Sequence, residues 1–246
     1  MPVSFLKALL MGNASVRSRE RVHPEIKLQI LNVHRVWRNK NYRDFGLERI
    51  IRLFLVCIQF FFPGLYIRHF GGLFGGFLGR RLATEFYILG KLVIPVAVLL
   101  GDFRPGQFLL ALMIYLMLET MLYLTSLIFL AFEFSPTISY RRSLISIFIN
   151  FMEISFSYSM LYLAGDHVYP NFFSMHFDSG LHAVFFSFIT SATVGYGDIY
   201  PVHPLARTLV LSQVVFSFIF IGLIFNYFSS HAHERGEYSR LPSGKN

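Results

Sequence analysis

The sequence predicts an all-α membrane protein, and three observations predict it. Of the 246 residues, 54% are hydrophobic, and the mean hydropathy is +0.51, far more apolar than a soluble domain. Apolar runs of bilayer length recur along the chain, which argues for a polytopic helical protein rather than one or two buried soluble cores. Between the last two runs lies a loop, Thr190-Ser191-Ala192-Thr193-Val194-Gly195-Tyr196-Gly197-Asp198, preceded by an aromatic-rich apolar stretch too short to span.

Residues 1–48 form a basic segment. Eleven of the 22 lysines and arginines fall within the first 52 residues, so the net charge of +8 is concentrated there. This is the pattern of a cytoplasmic, positive-inside segment beside anionic headgroups. No nucleic-acid-binding motif accompanies it, and no nucleic-acid partner is expected. The opening Met1–Met11 is apolar but short and lacks a small-residue cleavage site, so no signal peptide is expected. Ile26, Ile30, Val33, Val36 and Trp37 recur at helical spacing, with Lys27, Arg35, Arg38 and Lys40 interleaved. They predict a basic amphipathic helix at the inner headgroup layer; a solvated helix with a few apolar contacts is the alternative.

The membrane helices follow over residues 49–136. Residues 49–78 are apolar enough to cross, but Pro63-Gly64, Gly71-Gly72 and Gly75-Gly76 interrupt them. Clearer spans are 83–101 and 107–132, the latter longer than a bilayer needs and hence tilted. Two more, 141–164 and 204–229, bracket the loop, and 231–246 form a short polar cytoplasmic tail. Cys57 is the single cysteine, so there is no disulfide framework, and a small buried apolar side chain is expected there. Glu85, Lys91, Glu119 and Glu153 lie inside apolar segments, where charge is expensive; they should face the bundle interior and pair, Lys91 with Glu119 first. Glu153 is alternatively placed to contact the back of the loop module. No segment carries an Arg-x-x-Arg ladder, so steep voltage gating is not expected.

The loop carries the chemistry. Extended backbone at membrane depth is costly unless its carbonyls line something polar, and a row of dehydrated cations fits. Gly195 and Gly197 allow the alternating left- and right-handed dihedrals that aim successive carbonyls one way. Thr193 to Tyr196 then offer main-chain oxygens, and the Thr193 hydroxyl adds one more at the inner end. No HExxH, CxxC, GxSxG or phosphate-loop pattern occurs.

The run Thr193-Val194-Gly195-Tyr196-Gly197-Asp198 resembles the filter of tetrameric K⁺ channels, whose sequence TVGYG it reproduces. The resemblance covers 137–230 as a pore module: outer helix 141–164, pore helix 178–192, filter 193–197 and inner helix 204–229. It implies a homotetramer in membrane lipid that conducts K⁺ passively, with no enzymatic chemistry and no cofactor beyond the permeant ion. K⁺ would bind at Thr193, Val194, Gly195 and Tyr196, with Gly197 completing the filter. Asp198 would stand at the outer mouth. Phe185, Phe186 and Phe188 would pack around Tyr196. Relatives often carry tryptophans at the first two of these places, and Ile189 stands where some carry a glutamate paired with the aspartate matched by Asp198. Asp178 or Ser179 would cap the pore helix, and Pro204 would open the inner helix. Phe218, Ile221 and Phe225 would line the cavity and gate, where Ser217 takes the place of a common hinge glycine and Gly222 offers another bend. His231 and His233 below the gate are candidate proton sensors, against a plain solvated tail.

The filter of such a pore faces outward, so five crossings would put the two termini on opposite sides. Positive-inside logic wants both inside; residues 49–78 are therefore expected to be interfacial or re-entrant, with an external N-terminus as the alternative. The lack of eukaryotic extensions favours a bacterial inner membrane. A K⁺-uptake transporter subunit and a non-conducting sensor are the competing functional classes.

Overall fold

The computed structural model describes residues 25–39, 45–101, 104–130 and 140–238, with backbone alone at Phe77, 140–143 and 226–238. The helices are α1 (Glu25–Arg38), α2 (Leu47–Ile58), a 3₁₀ turn Gln59–Phe61, α3 (Pro63–Leu100), α4 (Gln107–Phe129), α5 (Tyr140–Val168), α6 (Gly180–Ser191) and α7 (Pro204–Tyr238). The chain divides between Tyr87 and Ile88 into two compact units.

In the first unit, α1 is fastened by polar contacts. Gln29, itself buried, donates to the Val56 carbonyl at 2.8 Å, among the last carbonyls of α2, which lack partners within their own helix. Arg49 donates to the Trp37 carbonyl at 3.1 Å, and Glu25 pairs with Arg80. The buried positions of α1 are Gln29 and Val36, so Ile30 and Trp37, expected on its apolar face, are exposed. Cys57 is exposed too: α2 buries Arg52, Leu55 and Val56 instead, and residue 57 points away from that face.

Residues 49–78 break where the sequence has its helix breakers. Phe62 is extended (φ −106°, ψ 142°) because a residue before proline is pushed out of the α region. The helices on either side, Leu47–Phe61 and Pro63–Gly76, meet at a 64° bend, the geometry of a broken span or a re-entrant loop. A second break falls at Gly75 and Gly76, the latter at φ 57°, open to glycine at little cost. There the chain folds back: a Cβ on Gly71 would lie 2.6 Å from Ala83 Cβ and 2.8 Å from the Gly79 carbonyl oxygen. Glu85, expected inside, is exposed one turn after Arg80 and Arg81 at the polar end of its helix limb.

Four helices among the described residues are long and apolar enough to cross a membrane: Leu78–Leu100, Gln107–Phe129, Leu144–Val168 and Pro204–Phe225. In the second unit α5 is central, with 56% of its span buried against 28% for that of α7. Its end runs four residues past the expected 164 and stops before Pro170. The short helix α6 is seated on the end of α3, where a Cβ on Gly180 would come within 2.6 Å of the Leu99 carbonyl oxygen. The aromatic core beneath it gathers Tyr162, Phe172, Phe173, Phe177 and Phe186.

The intramembrane charges cluster between α3, α4 and α5. Lys91 donates to Thr120 Oγ1 and stands 4.0 Å from Glu153 Oε2, both charged side chains being buried. Glu119 is buried beside Thr120 on α4. Removing one member of a buried pair leaves the other charge uncompensated. Lys91→Met should therefore destabilise the folded protein by about 3 kcal/mol. Adding Glu153→Gln to it should recover part of that loss, as read by unfolding in detergent across the double-mutant cycle.

Candidate functional site

The loop 192–198 is delivered by the C-terminus of α6. Ala192, Thr193 and Val194 donate their N–H groups back to the carbonyls of Phe188 (2.9 Å), Thr190 (3.0 Å) and Ile189 (2.9 Å). These bonds satisfy the last carbonyls of the helix and launch the chain in extended form. Thr193, Gly195 and Gly197 have φ of 56°, 55° and 83°, while Val194 and Tyr196 between them stay negative. The left-handed residues thus alternate, as the glycine spacing predicts. Thr193 is the costly member, since a β-branched residue seldom adopts positive φ. Every residue from Ala192 to Asp198 is exposed in the single chain, between buried Ser191 and buried Ile199.

The supporting aromatics divide. Phe185 alone of the three stacks on Tyr196, with centroids 6.1 Å apart and planes within 3°. Phe186 turns into the core against Tyr162 and Phe173, and Phe188 packs edge-on to Phe156. Phe186 points about 100° from Phe185 and so cannot face the same loop, while Phe188, one turn on from Phe185, is taken up by Phe156 of α5. Ile189 packs against the core and supplies a carbonyl, not a side-chain partner, to Val194 of the loop. The expected side-chain cap is absent: Ser179 occupies the N-cap position without a side-chain hydrogen bond, and Asp178 reaches His182 Nδ1 only at 4.0 Å. The Ser179 carbonyl takes the His182 N–H instead.

The chain after residue 198 is clasped by the loop after α5. Ser174 N–H bonds the Tyr200 carbonyl at 2.9 Å, Tyr200 N–H bonds Ser174 Oγ at 3.1 Å, and Phe173 bridges Pro201. His203 opens α7: its Nδ1 accepts the Leu205 N–H at 3.2 Å, while its ring stacks on Tyr169 and Phe172. Pro204 is the first helical residue, as predicted. The buried Asp166 carboxylate holds the clasp, accepting from Phe177 N–H at 2.8 Å and His176 Nδ1 at 2.6 Å.

Along α7, Leu211, Val215, Phe218, Ile221, Gly222 and Phe225 are exposed on one face. Ser217 is on the opposite face, 1% exposed, and its hydroxyl donates to the Gln213 carbonyl one turn back. It therefore does not line a cavity with Phe218. The helix runs through Ser217 and Gly222 without interruption. The side chains of His231 and His233 lie outside the described residues.

A buried polar network behind α6 was not read from the sequence. Gln213 of α7 is wholly buried; its Nε2 donates to Ser187 O (3.0 Å), Ser187 Oγ (2.8 Å) and Ser191 Oγ (2.6 Å). Tyr162 of α5 donates its hydroxyl to Gln213 Oε1, and Ser187 Oγ donates to the Ser155 carbonyl at 2.7 Å. The available signals were Ser187 and Ser191 one turn apart and a glutamine inside a spanning run; a reading of charged residues alone passes over them.

A short helix that stops inside a membrane-depth bundle and hands over to exposed, alternating backbone defines a pore-loop module. Residues 144–233 match the family model described as an ion channel. Over these residues the chain is thus similar to pore-loop ion channels, and its long apolar helices are those of an integral membrane protein. No curated protein and no solved structure matches the chain. Asp166→Ala should lower the unfolding temperature more than His176→Ala, because only the first leaves the Phe177 N–H without its acceptor, worth about 1–3 kcal/mol; differential scanning of both variants checks this.

Proposed function

We propose that four copies assemble about an axis into a K⁺-selective channel that conducts passively in a cell membrane. The observation that carries this is the alternation of positive φ at Thr193, Gly195 and Gly197 within TVGYG. Such a backbone turns successive carbonyls to one side. Four of them around an axis replace the hydration shell of K⁺ at Thr193, Val194, Gly195 and Tyr196. The exposed Val194 and Tyr196 of the loop support assembly, since their side chains lie uncovered in a single chain.

In this reading the C-terminal end of α6 points below the filter, and its dipole favours a cation in the cavity before dehydration. An Asp198 ring concentrates cations at the outer mouth. Phe218, Ile221 and Phe225 form the apolar constriction that closes by dewetting.

In proteoliposomes the protein should pass K⁺ rapidly down its gradient, with block by Ba²⁺, little Na⁺ flux and loss of flux in Gly195→Asp. Flux that saturates and requires a co-transported ion would indicate the uptake-transporter class instead, and no flux a sensor. The mass of the purified complex should be that of four chains.

The basic N-terminal segment is best read as a lipid contact. Lys27, Arg35 and Arg38 stand exposed on α1 beside exposed Ile30, Leu31 and Trp37, a charged and apolar mixture suited to an anionic headgroup layer. Each basic residue near such a surface contributes about 1 kcal/mol. Replacing all three by Gln should flatten the dependence of flux on the anionic-lipid fraction of the vesicles, leaving flux in neutral lipid unchanged.

A further inference from the structure

We propose that Gln213 is a positioning residue for the filter and the mechanical link between α7 and the ion path; this rests on the channel reading above. Its carboxamide is wholly buried and engaged at both ends. The Ser187 carbonyl can only accept, so the nitrogen must face α6, and the oxygen is left to receive the Tyr162 hydroxyl. The orientation is thus forced by its neighbours.

The chain of donors then runs one way. Tyr162 gives to Gln213, Gln213 gives to Ser187 and Ser191, and Ser187 gives to the Ser155 carbonyl of α5. Ser155 and Ser191 hydroxyls lie 3.4 Å apart and close the network. Three helices meet in it. In a membrane interior no water stands ready to replace a lost partner, so each bond is expensive to break.

Its position decides what it controls. Ser191 is the last residue of α6, two before Thr193, whose left-handed backbone begins the filter. Gln213 is one turn before Ser217, which bonds back to it, and Phe218, on the exposed face of α7. A rotation of α7 that moves Phe218 must either carry the end of α6 along or rupture the Gln213 bonds. Ile189 offers no side-chain hydrogen bond above this point. The lower end of the pore helix, not its side facing the outer mouth, is where the filter is pinned.

The test compares two variants in proteoliposomes. Gln213→Leu should reduce the K⁺-over-Na⁺ flux ratio by about tenfold, the equivalent of one net hydrogen bond. The fully apolar variant Ser155→Ala, Tyr162→Phe, Ser187→Ala, Ser191→Ala, Gln213→Leu leaves no unsatisfied side chain in the network and should unfold near the wild-type temperature. It should nonetheless keep the low ratio, because satisfaction without the link does not position the filter. A native ratio in either folded variant overturns the proposal and reduces the network to polar bookkeeping. Hydrogen–deuterium exchange at residues 193–198 reads the same link without reference to the ion. Faster exchange in both variants supports it even where the wild-type protein passes Na⁺ freely, a result that would sink K⁺ selectivity alone. Unchanged exchange overturns it.

Discussion

Non-helical backbone at the depth of the hydrocarbon must find partners for its N–H and C=O groups, and the second unit is arranged around that demand. Residues 192–198 meet it asymmetrically. The amides of Ala192, Thr193 and Val194 turn back to the end of α6. Beyond residue 198, Tyr200, Val202 and His203 are tied to Ser174 and Phe172. Between these two anchorages the strand is exposed on its own chain. A segment fixed at both ends and open along its middle is suited to present carbonyls to something other than protein.

The same helices that anchor the loop have two unlike faces. On α7, Gln213, Phe216, Ser217, Phe220 and Leu223 are buried, while Leu211, Val215, Phe218, Ile221 and Phe225 are exposed. Both faces are largely apolar, so hydropathy along the helix does not tell them apart. This is the main reason that the loop and the spans were legible in the sequence and the lining of α7 only partly. Phe218, Ile221 and Phe225 fall on the open face by simple spacing. The family resemblance puts Ser217 at a hinge position beside them, but its side chain is buried and its hydroxyl serves its own helix one turn back.

Other differences have equally local causes. The bend at Phe62 follows from Pro63 and was readable; the fold-back at Gly71 and Gly79 needed to know which glycines approach one another. The pore helix was expected to begin with a side-chain cap, a sound inference from Asp178-Ser179 alone. α6 instead starts where Gly180 is seated on the Leu99 carbonyl, a contact between residues 81 apart in the chain that no local signal announces. Phe185 and Phe186 are neighbours in sequence yet meet Tyr196 and the core separately, because successive helical residues point about 100° apart.

α5 joins these parts. Glu153 and Ser155 are two residues apart, which on a helix places them on nearly opposite sides. Glu153 faces Lys91 of α3, whereas Ser155 faces Ser187 and Ser191 of α6. Continuing along the second side, Tyr158 reaches Ser212 at 2.9 Å and Tyr162 reaches Gln213, both on α7. The intervals of three and four residues keep Ser155, Tyr158 and Tyr162 on one stripe. An apolar helix would slide or rotate against its neighbours at small cost in lipid, where no hydrophobic driving force fixes the register. Directional polar contacts on both sides of α5 remove that freedom. They make α5 a rigid strut between the buried charges on one side and the Ser187–Ser191–Gln213 network on the other, so a shift of α5 at Glu153 is carried by the helix itself, not by a chain of hydrogen bonds, to the end of α6.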